Sequence, residues 1–336
     1  MKALLEPAPN ESRRKAWSSA LFAGGGTQCA ERSVVFWLPL LALLKLALVS
    51  NQDIVAWYHP HDDYWQILSA AHWVWWRPYD QWTLMHLPVY PTFVALAGAI
   101  GLPLRIAIEL FYIGGAATLT FALGRLGVPG LLRIVIFTMI VFHPYSYAEF
   151  DYAFAETLYA CLMLYLVALF IRLLAPASRS DLIWNAALFA TVMALMWHCR
   201  KESILLGGLL ALMTLAILAA LFRGLLSRTD AVRLGLVLIA APAFAIAAVG
   251  ALISTANGLR YGLWHTNQMV VPNYVRAYST LQAIRPDHPI RFVPISREAR
   301  QKAYAVSPAF RELAPFIDGE RENWGAWFTR QNLGIK

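Results

Sequence analysis

The sequence predicts an all-α integral membrane protein, a polytopic helical bundle with about seven spans. Three observations carry this. The 336-residue chain is 59% hydrophobic and only 14% charged, where a soluble domain averages about 25% charged residues. Its mean hydropathy is +0.51. Long apolar runs recur along it, separated by short segments in which charged and aromatic residues collect. The same composition excludes other classes. The formal charge is +8, yet no basic run with interleaved aromatics of the nucleic-acid type stands out. Cys29, Cys161 and Cys199 are isolated and suggest neither a disulfide framework nor a zinc site.

Residues 1–32 read as a polar cytoplasmic tail carrying Arg13, Arg14, Lys15 and Arg32. Residues 33–50 form the first span. A basic flank before an apolar run also marks a signal peptide, but this run is long and no small-x-small cleavage site follows it, so an uncleaved anchor is expected. Its positive flank puts the N-terminus inside.

Residues 51–86 then form the first outer loop. It carries Asp53, Asp62, Asp63 and Asp80 against Arg77. From Asp62 to Arg77 there is no Gly or Pro, and Trp65, Leu68, His72 and Trp75/Trp76 recur at helical spacing. That pattern predicts a helix lying in the interface, its tryptophans at headgroup depth. Residues 87–101 are apolar but too short for the roughly 20 residues a span needs. Spans follow at 104–124, 131–143, 156–174, 183–198, 203–222 and 231–254, which completes a membrane core over 33–254. Residues 255–336 are polar, with no span, and are expected on the outer face.

Arginine placement decides the path. If 87–101 stays half-inserted, Arg125, Arg133, Arg172, Arg179, Arg223, Arg228 and Arg233 all fall inside. If it crosses, the bias reverses. The positive-inside rule favours the first.

Four clusters then share the outer side. Asp62 and Asp63 pair two carboxylates at the start of an interfacial helix. One could take a proton from an attacking hydroxyl, and the other could orient the acceptor. A divalent metal held there, with His59 and His61 nearby, is the alternative not favoured. Glu149, Asp151 and Glu156 make a second acidic loop after His143-Pro144. Arg200 and Lys201, in a break between two spans, suit a lipid-linked phosphate through charge-assisted bonds. Arg105, at the outer start of its span, is a weaker candidate of the same kind, with Glu109 one turn on to pair with it. Lys45 lies inside the first span, where an ionisable side chain is functional by default unless it snorkels out.

In their order these pieces resemble the GT-C superfamily of integral-membrane glycosyltransferases, the glycosyltransferase family 39, ArnT-like and protein mannosyltransferase group. The resemblance rests on the basic tail, the first span, the Asp62-Asp63 loop and the Leu87-Pro88-Val89-Tyr90-Pro91 stretch. It continues through Gly101-Leu102-Pro103-Leu104-Arg105, the acidic loop ending in Glu156-Thr157-Leu158, and the Arg200-Lys201-Glu202 break. It covers roughly residues 33–254. It implies a GT-C-type bundle in a bacterial inner membrane with its active site facing outward. It implies a polyprenyl-phosphate sugar as donor and a lipid, glycan or protein acceptor. Asp62 or Asp63 would be the base, Arg105, Arg200 or Lys201 would hold the donor phosphate, and Glu149, Asp151 or Glu156 would line the site. No metal or other cofactor, and no nucleic acid, is expected. Family members usually carry further spans beyond the point matching residue 254, so a shortened, non-catalytic member is a second expectation. A transporter or flippase is the third.

Overall fold

Seven helices are long and apolar enough to cross a membrane. They belong to a computed structural model that describes residues 27–54, 62–80, 83–174, 176–224, 227–290 and 293–318. The described residues form helices and no strand. In chain order the helices are α1 (Thr27–Val49), α2 (Asp62–Ala71), α3 (Val89–Ala99), α4 (Leu104–Arg125) and α5 (Gly130–Val141). A single turn, α6 (Pro144–Ala148), prolongs α5 into a crossing segment Gly130–Ala148. Then come α7 (Ala155–Leu174), α8 (Arg179–Trp197), α9 (Ile204–Phe222) and α10 (Arg228–Tyr261). An exposed helix, α11 (Pro272–Ala283), and a helix that buries Ala299 and Ala303, α12 (Arg297–Val306), follow. Seven apolar helices of this length fit a multi-pass membrane protein.

Polar bonds fix the direction of each helix. At one end of the bundle Arg133 pairs with Glu31, and Arg125 and Arg172 both reach Asp181. At the other end Lys45 meets Glu109, Arg105 meets Asp151, and Arg200 meets Glu156. The crossings therefore alternate. Helix α3 is too short to cross, and it starts and finishes at the Lys45 end. Leu87 shares a cavity with Glu156 and Arg200, and Arg105, just past its far end, is bonded to Asp151. Both ends of α3 thus lie at the Lys45 end of the bundle, the arrangement in which 87–101 does not cross.

Close packing of α4 on α7 uses Gly114, where a Cβ would meet the Tyr165 hydroxyl, and Gly115. A Cβ on Gly115 would sit 3.0 Å from Leu164 Cβ and 3.2 Å from the Cys161 carbonyl. Small residues let helix backbones approach where lipid supplies no hydrophobic drive.

Three expectations about local structure are corrected. The first helix begins at Thr27, inside the segment read as tail, because Glu31 finds Arg133. The last crossing helix runs to Tyr261 rather than residue 254. At about 51 Å it is longer than the roughly 30 Å hydrocarbon core, and its last turn reaches the segment after α2. The interfacial helix ends at Ala71, well short of Arg77. Trp73 and Val74 take φ of 48° and 64°, left-handed values that cost a non-glycine residue about 1–2 kcal/mol. Tertiary bonds hold this turn. Arg260 Nε donates to the Trp75 carbonyl at 2.8 Å, and the Tyr261 hydroxyl donates to the carbonyls of Val74 and Arg77. Trp75 Nε1 donates to Asn257 Oδ1 at 2.7 Å. The end of α10 thus dictates a conformation that local sequence does not favour.

Candidate functional site

A partly open cavity of about 540 Å³ lies at the Lys45 end of the bundle. Four stretches of chain build it: Gln66 of α2, Met85–Leu87, Phe154–Glu156 and Cys199–Glu202. Each is placed by packing beneath it. Tyr90, Ala155, Leu158, Met196 and Cys199 belong to one buried apolar cluster that ties α3, α7 and α8 together below the opening. Asn267 secures the Met85 wall: its Nδ2 donates to the Met85 carbonyl at 2.7 Å, and the Gln268 N–H donates to the Leu84 carbonyl at 3.0 Å. Gln66 Nε2 lies 3.3 Å from His86 Nδ1 and braces α2 against the same wall.

The charged lining is an alternating set. Arg200 bridges Glu156 at 2.8 Å and Glu202 at 3.0 Å. Burial works against the Arg200 charge, but the two carboxylates outweigh it and raise its pKa. Lys201 is exposed, its Nζ 3.0 Å from Met269 Sδ. Cys199 also lines the cavity, but burial pushes its thiol up to about 12. That burial disfavours the thiolate a nucleophile would need.

The residues singled out from sequence divide into three groups. Glu156, Arg200 and Lys201 line the cavity together, although more than 40 residues separate the first from the others. Asp63 does not line it: it is fully buried, one turn of α2 before Gln66, and its Oδ1 accepts the Tyr64 N–H at 2.9 Å. Asp62 opens the same helix, and its carboxylate, like His59 and His61, lies outside the described residues. Glu149 closes the α6 turn as its C-cap.

Arg105 and Asp151 belong to a separate, buried network. Arg105 is 1% exposed. It donates to Asp151 Oδ1 at 2.7 Å, to Glu109 Oε1 at 2.8 Å and to the Ser146 carbonyl at 3.0 Å. Lys45, fully buried, lies 3.4 Å from Glu109 Oε1, donates to Ser146 Oγ at 2.8 Å and sits 3.3 Å over the Tyr147 ring. Two cations and two carboxylates neutralise one another here, as buried charges must. The expected phosphate role of Arg105 and this geometry diverge: the guanidinium is committed to tethering the α6 loop. Sequence paired Arg105 with Glu109, one turn apart, and pointed to Lys45 separately. What it did not show was that Lys45 and Asp151 join that pair.

Sequence reasoning missed His86, Gln66 and Asn267. None stood in a motif, and each gained its place through a contact distant along the chain. Among the described residues no group of three or more His, Cys, Asp or Glu gathers as a metal site. Comparison with protein-family models, with curated proteins and with solved structures finds no match.

Proposed function

We propose that this chain is a GT-C-type glycosyltransferase moving a sugar from a polyprenyl-phosphate donor to an acceptor hydroxyl at the outer face of a bacterial inner membrane. One observation carries the reading. A cavity holding Arg200, Lys201 and Glu156 opens at the bundle end that also bears the Asp62-Asp63 helix. A donor anchored in the bilayer needs its site at that level, within reach of cations for its phosphate and a carboxylate for the acceptor.

In this scheme the acceptor oxygen attacks the anomeric carbon. The bond from that carbon to the phosphate oxygen breaks, and the lipid phosphate leaves with the electron pair, stabilised by Arg200 and Lys201. The acceptor proton passes to Asp62, since its neighbour Asp63 is fully buried and does not line the cavity. Arg200 exchanges a carboxylate partner for phosphate as the donor binds. Arg105 and Asp151 act at a distance, by holding the α6 loop beside the cavity.

A transporter or flippase would place its polar groups at mid-span. The buried Lys45 and Glu109 are the strongest observation for it, yet each lies within about 8 Å of a helix end. The transferase reading therefore stands first. Its test is transfer from radiolabelled polyprenyl-phosphate sugars in membranes carrying the wild type, Asp62→Asn, Asp63→Asn or Arg200→Ala. The expected result is loss of incorporation by Arg200→Ala and by one aspartate variant. Equal incorporation in all four sinks the assignment. Cysteines placed at 61 and 147 should label from the same side of the membrane.

A further inference from the structure

The opposite end of the bundle holds a second feature, a groove between α9 and α10. It covers about 770 Å³, open space at its surface included, and its lining is almost wholly apolar. Ile217, Leu218 and Leu221 form one wall, and Ala231, Val232 and Gly235 the other. Arg228 and Ile239 stand at the two ends of its α10 wall. Helix α9 packs loosely, with only 6% of its span buried, so the groove is open along its length.

Three properties select its occupant. The first is length. From Arg228 to Ile239 is eleven residues of helix, about 16 Å, which matches one leaflet of a hydrocarbon core about 30 Å thick. The second is charge. Arg125 and Arg172 at this end are paired with Asp181, and Arg133 with Glu31. Arg223, Arg228 and Arg233 are exposed and, among the described residues, have no hydrogen-bond or ion-pair partner. The neighbouring Asp230 accepts from the Ser227 hydroxyl at 2.8 Å. The third is shape. The π-helical turn Leu236–Ala240 carries Ile239 at the end of the wall away from Arg228, and such turns occur often at functional sites.

We infer that this groove binds an anionic phospholipid of the adjoining leaflet, an acyl chain lying between α9 and α10 and the phosphate at Arg228. A chain of leaflet length beside an unpaired cation is the chemistry the groove complements. Basic pockets between spans hold anionic headgroups in this way.

The test uses the full chain in nanodiscs of defined composition. Phosphatidylglycerol retained through purification into phosphatidylcholine discs is counted by native mass spectrometry. Wild type should retain phosphatidylglycerol over phosphatidylcholine. Arg228→Gln should lower that preference about fivefold, equivalent to the ~1 kcal/mol of one basic residue at an anionic surface. Arg228→Lys should keep it. Gly235→Phe should abolish retention: a Cβ there meets nothing within 4 Å, so the ring fills the groove without disturbing the fold. Equal retention of both lipids by wild type overturns the inference, as does wild-type retention in Gly235→Phe. Protection by inorganic phosphate alone would mark a free anion site. Efficient disulfide cross-linking of Leu218→Cys between copies would mark a protein interface. Either result overturns it too.

Discussion

Removing the Glu109 carboxylate strands two cations in the protein interior. Lys45 and Glu109 are fully buried and Arg105 is 1% exposed, so solvent screens none of them. In Glu109→Gln, Lys45 and Arg105 keep Asp151, itself 46% exposed, and the cluster carries one uncompensated charge. Breaking a buried pair from one side costs about 3–5 kcal/mol. That is a large share of the roughly 5–15 kcal/mol by which a folded protein is stable. Lys45→Met should cost a similar amount with the opposite charge left over. The double variant Lys45→Met/Glu109→Gln is balanced again, Arg105 against Asp151, and should recover part of the loss. The expected coupling is about 1–3 kcal/mol below the sum of the singles. Unfolding of the purified protein by SDS in mild detergent, followed by tryptophan fluorescence, measures all four. Single variants within about 0.5 kcal/mol of wild type, or an additive double, would refute the network as a unit.

Three other outcomes follow from the geometry. Gly115→Val overpacks the α4–α7 contact, where the Cys161 carbonyl cannot give way, and should destabilise by about 1–3 kcal/mol in the same assay. A wild-type midpoint would mean that the two helices have room to part. Asn267→Ala removes a bond to the Met85 carbonyl and one from the Met269 N–H, both 2.7 Å. Amide exchange over residues 83–87 should rise markedly while the bundle core stays protected, and unchanged exchange would show the wall to be self-supporting. His198 is buried, which holds its pKa below the usual 6.5, although its contact with the Ile246 carbonyl at 3.0 Å favours the charge. The unfolded chain takes up this proton near pH 6.5 and the folded chain does not. Stability should therefore fall as pH drops below about 6.5. A thermal midpoint that declines between pH 7.5 and 5, and declines less in His198→Gln, is expected. Identical slopes would remove His198 from the explanation.

Hydropathy and charge bias determined the spans, their number and the short α3 that stays at one end. These are properties of local composition, because a run of apolar side chains partitions into lipid whatever lies elsewhere in the chain. The same reading chose Glu156, Arg200 and Lys201, which do meet, because charges at span ends on one side of a membrane share a surface. Tertiary structure decided the rest. It buried Asp63 away from the cavity and bound Arg105 to Asp151 as well as to its helical neighbour Glu109, instead of leaving it for a phosphate. It also stopped the interfacial helix at Ala71. Within the 62–77 stretch the Val74 and Trp73 N–H groups close the helix on the Ser69 and Ala70 carbonyls, but the residue types do not announce that stop, since Trp73 and Val74 resist the left-handed turn they adopt. The turn depends on Asn257, Arg260 and Tyr261, more than 180 residues on. Ion pairs and backbone turns of this kind depend on distances between segments, and one-dimensional patterns carry composition and period but no distance.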